Sequence, residues 1–296
     1  MEQSLNSSPW QAVITGWGFA VPERILTNQD LEKMVETSDE WITTRTGIKE
    51  RHLVGEGESN FTLALQAAKQ ALQRAAFDPA KLDLIIVGTC TPDFLLPSTA
   101  CLIQDALDAS KAGAFDLQAA CSGFLYSLNV ARQFMLNGAY KNILVIGAET
   151  ITRFIDYTDR NTCVLFGDGA GAVVLQAQEQ KNGQRLGVGE FTLGAYGAGG
   201  KFLNIPGGGS RRPPTHQTVQ SREHYVKMDG QEVFKLAVRS MASSALEVLE
   251  REGLSANDID LVIPHQANIR IIDAVGKRLE IPAEKMWVNI DRYGNT

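Results

Sequence analysis

The sequence lacks the patterns that mark several large protein classes. Its four cysteines form no CxxC pair and its four histidines form no HExxH motif, so their spacing excludes a disulfide scaffold and the common zinc sites. The longest apolar stretches, such as LDLIIVG, fall far short of the ~20 residues that a membrane-spanning helix needs. The N-terminus has no basic segment followed by a long apolar one, which argues against a secretory signal peptide. We therefore expect a soluble, cytoplasmic protein with reduced thiols.

An excess of positive charge is also absent. The 296 residues include 28 Lys and Arg against 34 Asp and Glu, and the formal net charge of −6 gives no reason to expect nucleic acid as a partner. Hydrophobic residues make up 44% of the chain, close to the average of globular proteins. The length fits one large domain or two of ordinary size.

Short runs rich in Val, Ile and Leu alternate with segments of helical periodicity. Residues 61–77 and 122–137 place apolar side chains at steps of three and four, which predicts two helices. Strands that alternate with helices indicate an α/β fold with largely parallel sheets. The predicted strands are AVITGWG, DLIIVGT, AFDLQA, NILVIGAE, GAVVLQA and DLVIPH.

The chain contains an internal similarity. Residues 72–86 align without gaps with residues 249–263, and both copies predict helix, turn, Asp and apolar strand. Chance similarity between two αβ units is one interpretation, and two similar halves, 1–180 and 181–296, is the other. Only 37 residues run from Asp260 to Thr296, so the second half lacks a helix and about two strands that its counterpart has. We therefore expect the second half to be shortened at its C-terminus.

Residues 178–225 are rich in Gly, Pro and Arg, which predicts a loop. A cover over part of a pocket and a plain linker between the halves are equally compatible with this composition.

Cys121 is the residue most suggestive of catalysis. The segment AFDLQAACSGFLYSL predicts a strand, a tight turn of small residues and a helix, with the thiol at the start of the helix. Unpaired N–H groups and the helix dipole favour a thiolate there, as in a nucleophile elbow. A buried structural cysteine is the alternative. Cys90, Cys101 and Cys163 lack this context, and we interpret them as packing residues.

His265 and Asn295 are weaker candidates on their own. His265 follows the predicted strand DLVI and precedes a helix that begins near Asn268, a position that points to the crevice of an α/β sheet. Asn295 could donate to an oxygen that gains charge, although a turn asparagine is the simpler interpretation. The glycine-rich segment 167–171 leads into a strand and not into a helix, so we expect no nucleotide redox cofactor and no metal.

Six motifs in order resemble the β-ketoacyl-acyl-carrier-protein synthase III family, the initiating condensing enzymes of type II fatty acid synthesis. The resemblance covers nearly the whole chain and implies a thiolase-like fold, with two similar βα halves in a five-layer αβαβα sandwich. The motifs are TSDEWITTRTGIKERH (37–52), DLQAACSGF (116–124), DRNTCVLFGDGAGAVVL (159–175), MDGQEVFK (228–235), IPHQANIRII (263–272) and DRYGNT (291–296).

The resemblance implies a Cys-His-Asn triad of Cys121, His265 and Asn295. A short acyl group, with acetyl as the first expectation, passes from acyl-CoA to Cys121. Malonyl-acyl-carrier protein then loses CO₂, and the enolate attacks the thioester to give 3-ketoacyl-carrier protein. Acyl-CoA is a substrate in this scheme, and we expect no cofactor.

Binding residues carry over at matching positions, and the family also implies a homodimer. Leu96 matches a position that projects from the partner subunit toward the acyl pocket. Many members of the family carry Phe there, so the smaller Leu would admit a longer or branched primer, the acyl group that starts the chain. The CoA residues are Thr37, Trp41, Arg45, Arg160, Gly230, Phe234, Ala267 and Asn268, and those for the acidic carrier protein are Lys235, Arg270, Lys277 and Arg278.

Two alternatives to this function remain open at this stage. One is a condensing enzyme that starts polyketide synthesis, and the other is an inactive, C-terminally truncated homologue. The family continues past GNT with a helix, a glycine-rich turn and two strands, and that turn supplies an oxyanion-hole N–H. The sequence ends before these elements.

Overall fold

The structure, a computed structural model, describes residues 8–180 and 186–296. The predictions for residues 1–7 and for 181–185, part of the predicted loop, lie outside this range. The chain forms two compact units, and the boundary predicted at residue 180 delimits neither, because the chain passes between them several times. That the two halves share a fold stays a prediction. The first unit comprises Met1–Pro22, Gly55–Thr150 and Gly169–Phe191, and the second comprises Glu23–Val54, Ile151–Asp168 and Thr192–Thr296.

Strands and α-helices alternate along the described residues, with short 3-10 helices between them. The strands are β1 (Trp10–Ala20), β2 (Ile25–Thr27), β3 (Glu50–His52), β4 (Leu84–Gly88), β5 (Gly113–Leu117), β6 (Asn142–Glu149), β7 (Gly169–Glu179), β8 (Leu203–Asn204) and β9 (Lys227–Met228). The α-helices are α1 (Asn28–Glu32), α2 (Asp39–Thr46), α3 (Asn60–Arg74), α4 (Thr99–Ala106), α5 (Gly123–Leu136), α6 (Arg160–Cys163), α7 (His216–Gln220), α8 (Gly230–Glu252), α9 (Ile269–Leu279) and α10 (Ile290–Tyr293).

The first unit is built on a five-stranded mixed sheet in the order β1-β7-β6-β4-β5. Strand β4 pairs in parallel with β5 and β6, whereas β7 pairs antiparallel with β1 and β6. Five of the six predicted strands form this sheet, so the α/β prediction is confirmed. The expectation of a largely parallel sheet is wrong here, because β7 runs antiparallel to both of its neighbours. The first predicted helix ends earlier than expected, because Ala76 adopts a left-handed φ of 49°.

Helix α3 packs against β1 at a distance that only glycine allows. A Cβ atom on Gly16 would lie 2.2 Å from the carbonyl oxygen of Ala71, and one on Gly18 would lie 2.2 Å from that of Ala67. The helix therefore rests directly on the backbone of the strand. Such close backbone contact fixes the register of helix on sheet more tightly than side-chain packing does.

Helix α5 packs on the five-stranded sheet through an apolar face. Leu128, Ala131 and Met135, at steps of three and four, belong to one buried cluster with residues of β1, β4, β6 and β7, as predicted. The start of α5 approaches the strand ends closely. A Cβ on Gly88 would lie 2.7 Å from the carbonyl carbon of Gly123, the first residue of α5.

The second unit has little sheet among its described residues. Strands β2 and β3 form one antiparallel pair and β8 and β9 another. Helices α8 and α9 pack together around a buried cluster that includes Val238, Ile272 and Val275. A second cluster, which includes Leu31, Ile42 and Ile290, lies under α1, α2 and α10.

The internal similarity persists in the structure up to the last element. Residues Pro79–Lys81 and Ala256–Asp258, which align in the two copies, both form a 3-10 helix after a long α-helix. The first copy then enters β4. The prediction of a strand over DLVIPH is wrong, because its only strand-type pairing is an isolated bridge between Val262 and Met286. A strand requires a neighbour that continues the hydrogen bonding.

The predicted loop 178–225 contains more structure than its composition indicates. Its described residues include the end of β7, strand β8 and helix α7. Arg222 donates from Nε to the Asp156 carboxylate at 2.5 Å, and this bond ties the segment to the second unit. The pairing lowers the pKa of Asp156 to about 2. No helix in the described ranges is long and apolar enough to cross a membrane.

The contact between α3 and β1 yields a test of packing. We expect Gly18→Ala to lower the free energy of unfolding by roughly 1–3 kcal/mol, because the added methyl group meets backbone atoms that cannot rotate away. Gly171→Ala on the neighbouring strand is the control, since the nearest atom to its Cβ is 4.0 Å away. Urea denaturation measures both variants, and equal stabilities would contradict the close contact.

Candidate active site

Cys121 lies in a sharp turn between β5 and α5. Strand β5 ends at Leu117, a 3-10 helix covers Ala120–Ser122, and α5 begins at Gly123. Ala120 has a φ of 45°, a left-handed conformation that costs a non-glycine residue free energy. The predicted strand, elbow and helix are therefore confirmed, and Cys121 is exposed to solvent at the elbow.

The electrostatics of Cys121 differ from the expectation. Water reaches the residue, yet the protein atoms around the thiol solvate its anion poorly, and this desolvation raises the pKa of Cys121. The nearby carboxyl of Glu149 raises this pKa further, and a backbone hydrogen bond lowers it. The position at a helix start thus does not give the thiol a low pKa, because desolvation and the negative charge of Glu149 outweigh the effect of the helix dipole.

His265 precedes α9, whose first residue is Ile269. Asn268 caps this helix, since its Oδ1 accepts from the N–H of Arg270 at 2.9 Å, and the predicted helix start is confirmed. Burial lowers the pKa of His265 below 6.5. The imidazole is therefore neutral near pH 7, with one nitrogen as donor and the other as acceptor.

Gln266 holds the turn that carries His265. Its Nε2 donates to the carbonyl oxygens of Pro264 and Trp287, both at 3.0 Å. Its Oε1 accepts from the N–H of Asn289 at 3.0 Å. One amide thus connects the turn to residues 287–289 by two hydrogen bonds and braces the turn itself by a third.

Asn295 is fixed through its backbone. Its N–H donates to the carbonyl oxygen of Leu165 at 2.9 Å, and its carbonyl oxygen accepts from the N–H of Gly167 at 3.0 Å. These bonds form a parallel bridge between Phe166 and Asn295. Gly294 has a φ of 66°, and a Cβ there would lie 3.0 Å from the oxygen of Leu165. Only glycine meets both conditions without strain.

The segments of His265 and Asn295 converge within the second unit. A Cβ on Gly47 would contact Ile269, four residues after His265, at 2.8 Å, and Ile290, five residues before Asn295, at 3.4 Å. Gly47 ends α2 with a φ of 82°, so three helix ends meet at one point.

Cys121 belongs to the first unit, whereas His265 and Asn295 belong to the second. The structure brings the segments of the last two together. Their joint action with Cys121 stays a prediction.

Trp41 contacts two guanidinium groups. Ser38 caps α2 and accepts from the N–H of Trp41 at 3.1 Å, which places the indole on the first turn. The Cζ atoms of Arg45 and Arg160 each lie 4.9 Å from the centre of the indole ring. Arg160 also donates to the carbonyl oxygen of Glu36 at 2.8 Å. Both guanidinium groups therefore contact the indole directly, and a role of Trp41 and Arg160 in holding the adenine of CoA stays a prediction.

The other predicted CoA residues lie at helix starts and on an apolar surface. The Oγ1 of Thr37, beside α2, is buried and has no hydrogen-bond partner among the described residues. Gly230 begins α8, and Asn268 caps α9. Phe234 and Ala267 are half-buried against the same apolar cluster.

The four basic residues predicted to receive the carrier protein are all exposed. Residues 270 and 277 of α9 are two turns apart and share a face. The Nζ of Lys235 pairs with Glu232 at 2.7 Å, which neutralises part of its charge. The four are Lys235 on α8 and Arg270, Lys277 and Arg278 on α9.

Leu96 lies in an apolar loop between β4 and α4. Its exposed fraction is 87%, and those of Leu95 and Phe94 are 92% and 56%. Three consecutive exposed apolar side chains are uncommon on a monomer surface, and they indicate a contact surface.

Sequence reasoning missed Glu149, which is half-buried at the end of β6. A charged residue that ends an otherwise apolar strand was the available signal, because ligands meet α/β sheets at such ends. It also assigned Cys101 to packing, whereas this thiol is exposed, and Cys163 is buried as predicted. No cluster of three or more His, Cys, Asp or Glu side chains that could hold a metal occurs in the described part of the chain.

The chain matches two family models. Residues 115–197 match 3-oxoacyl-[acyl-carrier-protein (ACP)] synthase III, and residues 249–296 match the C-terminal model of the same family. The β-ketoacyl-[acyl-carrier-protein] synthase III of Caldanaerobacter subterraneus subsp. tengcongensis is 55% identical over 285 residues, which are 96% of this chain and 85% of the relative.

Solved structures give the same result. The 3-oxoacyl-[acyl-carrier-protein] synthase III of Aquifex aeolicus has a TM-score of 0.86 and 48% identity, over 96% of this chain and 86% of that one. The priming β-ketosynthase of the R1128 polyketide pathway has a TM-score of 0.87 and 35% identity, over 97% of this chain and 84% of that one.

The lowered pKa of His265 predicts a pH dependence of stability. Below about pH 6.5 an unfolded histidine binds a proton more readily than the folded, desolvated His265, so the free energy of unfolding decreases as the pH falls. His265→Asn removes this contribution. We expect the variant to lose less stability than the parent between pH 7 and pH 5, as measured by urea denaturation.

His216→Asn is the matched control, because His216 is exposed at the start of α7. It should follow the parent at both pH values. Identical pH slopes for His265→Asn and the parent would show that the folded protein accommodates the charged imidazole.

Proposed function

Because the chain belongs to the β-ketoacyl-[acyl-carrier-protein] synthase III family, we propose that Cys121, His265 and Asn295 are the catalytic residues of its condensing reaction. The protein is an acyltransferase of fatty acid biosynthesis with a thiolase-like fold. The observation that carries the assignment of residues is Cys121 at a strained elbow between a central strand and a helix start.

The reaction has two stages, and Cys121 takes part in both. In the first, its sulfur attacks the thioester carbon of acyl-CoA, the bond to the CoA sulfur breaks, and CoA leaves as the thiol with the proton of Cys121. In the second, malonyl-acyl-carrier protein loses CO₂, and the electron pair of the broken C–C bond forms an enolate. The enolate carbon attacks the acyl group, Cys121 leaves, and 3-ketoacyl-acyl-carrier protein forms.

His265 and Asn295 supply donors to the enolate oxygen. A neutral imidazole donates from one nitrogen without adding a full charge, which agrees with the lowered pKa of His265. The amide of Asn295 keeps its donor at any physiological pH, and a carboxylate there would repel the enolate. One such donor is typically worth about 2.7–4 kcal/mol of transition-state stabilisation.

CoA binds along the second unit in this proposal. Trp41 offers an indole face to adenine, and Arg160 and Arg45 offer guanidinium groups for stacking and for phosphates. The buried, unpartnered hydroxyl of Thr37 is a ready donor for the nucleotide. The apolar surface of Phe234 and Ala267 suits the pantetheine chain.

The acidic carrier protein docks on α8 and α9. Arg270, Lys277 and Arg278 are exposed and have no ion pair among the described contacts, so a local basic surface exists despite the net charge of −6. Such a surface raises the rate of encounter with an acidic partner more than the final affinity.

A homodimer completes the proposal. The exposed loop of Phe94, Leu95 and Leu96 provides apolar area for a second copy of the chain. In that assembly Leu96 sets the size of the pocket for the primer acyl group. Because Leu is smaller than Phe, which many members of the family carry there, the pocket admits a branched or longer acyl group as well as acetyl. We expect the enzyme to act in the cytoplasm and without a cofactor.

The priming β-ketosynthase of a polyketide pathway supports a second candidate, because its fold matches at 35% identity. A starter enzyme of secondary metabolism performs the same two stages with another carrier protein. Turnover with the malonyl-carrier protein of each pathway separates the two functions.

Acyl labelling tests the nucleophile. We expect incubation with acetyl-CoA to add the mass of one acetyl group to the peptide of Cys121, and Cys121→Ala to abolish the label. Cys101→Ala is the control, since Cys101 is another exposed thiol. Label on another residue, or none, would overturn the assignment. Isobutyryl-CoA in a parallel arm tests the primer pocket, and strict acetyl preference refutes the role of Leu96.

Loss of the indole tests the CoA site. Trp41→Ala should raise KM for acetyl-CoA roughly tenfold, because stacking and cation–π contacts together are worth about 1.4 kcal/mol. The kcat should change little, because Trp41 does not touch the reacting atoms. Trp17→Ala is the matched control, because Trp17 is an exposed tryptophan that also contacts an arginine. The Cζ of Arg74 lies 3.7 Å from the centre of its ring, in the first unit. Equal KM values in both variants would refute the adenine site.

A further inference from the structure

Glu149 is a carboxyl group in the middle of the sheet, at the end of β6. It accepts from the N–H of Cys90 at 2.7 Å and from the hydroxyl of Thr91 at 2.5 Å. Both donors follow the end of β4, the neighbouring parallel strand. The carboxyl thus connects the ends of the two central strands.

A second ring of hydrogen bonds holds this connection in place. Asn60, which is buried, donates to the hydroxyl of Thr89 at 3.0 Å and to the carbonyl oxygen of Ala148 at 2.9 Å. The hydroxyl of Thr91 also accepts from the N–H of Thr150 at 2.8 Å. The Glu149 carboxyl therefore has a fixed position, because its donor Thr91 and the residue before its donor Cys90 are themselves held by hydrogen bonds.

Two glycines bring the elbow of Cys121 to the same strand ends. A Cβ on Gly88 would lie 3.0 Å from the N of Phe124, and one on Gly147 would lie 3.1 Å from the Cβ of Phe124. The start of α5 therefore rests on β4 and β6 just before Glu149, and Cys121 lies three residues before Phe124.

The titratable groups that face the Glu149 carboxyl are two thiols. Cys90 hydrogen bonds to it, and Cys121 interacts with it electrostatically. Burial raises the pKa of Glu149, while its hydrogen bonds with Thr91 and Cys90 lower it. Among the described residues, no positively charged group offsets the effect of the Glu149 carboxyl on Cys121, so its charge acts on the thiol directly.

We propose that Glu149 is a positioning residue of the condensing reaction, which fixes the 89–91 segment and holds a carboxylate beside the Cys121 elbow. The inference rests on the proposed role of Cys121 as the nucleophile. Its consequence is protection, because a neighbouring carboxylate disfavours the thiolate, and thiolates rather than thiols react with oxidants and alkylating agents.

The test measures the alkylation rate of Cys121 by iodoacetamide across neutral to alkaline pH, with the modified peptide identified by mass spectrometry. Glu149→Gln keeps the shape and one acceptor oxygen but removes the charge, and its amide nitrogen cannot accept the second hydrogen bond. We expect the midpoint of its pH profile to fall by about one unit, so that alkylation near pH 7 becomes up to about tenfold faster. Glu149→Asp retains the charge and should keep the midpoint close to that of the parent.

Asp83→Asn is the matched control. Asp83 is also a carboxylate at a sheet end, where it accepts from the N–H groups of Lys141 and Asn142, but it lies before β4 and far along the sheet from the elbow. Its loss should leave the midpoint unchanged. Equal midpoints for the parent, Glu149→Gln and Asp83→Asn would overturn the proposal.

Thr91→Val covers the case in which Glu149→Gln fails to fold. It leaves the carboxylate but removes one of the two hydrogen bonds that fix its position, so we expect a smaller shift of the same sign. An unchanged midpoint in this variant counts against the proposal. Acetyl labelling of the parent separates the two hypotheses, because a missing label refutes the role of Cys121 whereas an unshifted midpoint refutes only that of Glu149.

Discussion

The close approach of helix α5 to the ends of β4 and β6 is the constraint on which the site in the first unit depends. Gly88 and Gly147 have no side chain, and an added Cβ would collide with the first residues of α5. Because the helix rests on the strands at this point, the chain must turn sharply between β5 and α5. The left-handed Ala120 is the conformational cost of that turn, and Cys121 is the residue that the turn exposes.

Desolvation by the surrounding protein atoms then opposes charge on both Cys121 and His265. Desolvation raises the pKa of Cys121 and lowers that of His265, so the thiol and the imidazole both favour their neutral forms. A neutral site suits a reaction in which negative charge appears on the substrate and must be met by dipoles.

The sequence predicted the elements of the first unit well and those of the second unit less well. Five central strands and two helices were readable, because buried strands and amphipathic helices carry strong local periodicity. The strand predicted at 260–265 exists only as one bridge, since pairing depends on a neighbour that no local pattern reveals. The loop predicted at 178–225 holds a helix and a strand that Arg222 and Asp156 tie down, a contact between residues far apart in sequence.

By itself, the sequence determined the family, the three candidate catalytic residues and the α/β class, because these depend on residue identity, order and local periodicity. Only the tertiary structure decided which groups face one another. In the structure, Glu149 and Cys90 lie beside the elbow, and both guanidinium groups contact Trp41. The amide of Gln266 holds the turn that carries His265. The structure also reversed the expected acidity of Cys121. The physical reason is that desolvation and long-range contacts depend on the atoms packed around a group, and these come from segments that are distant along the chain.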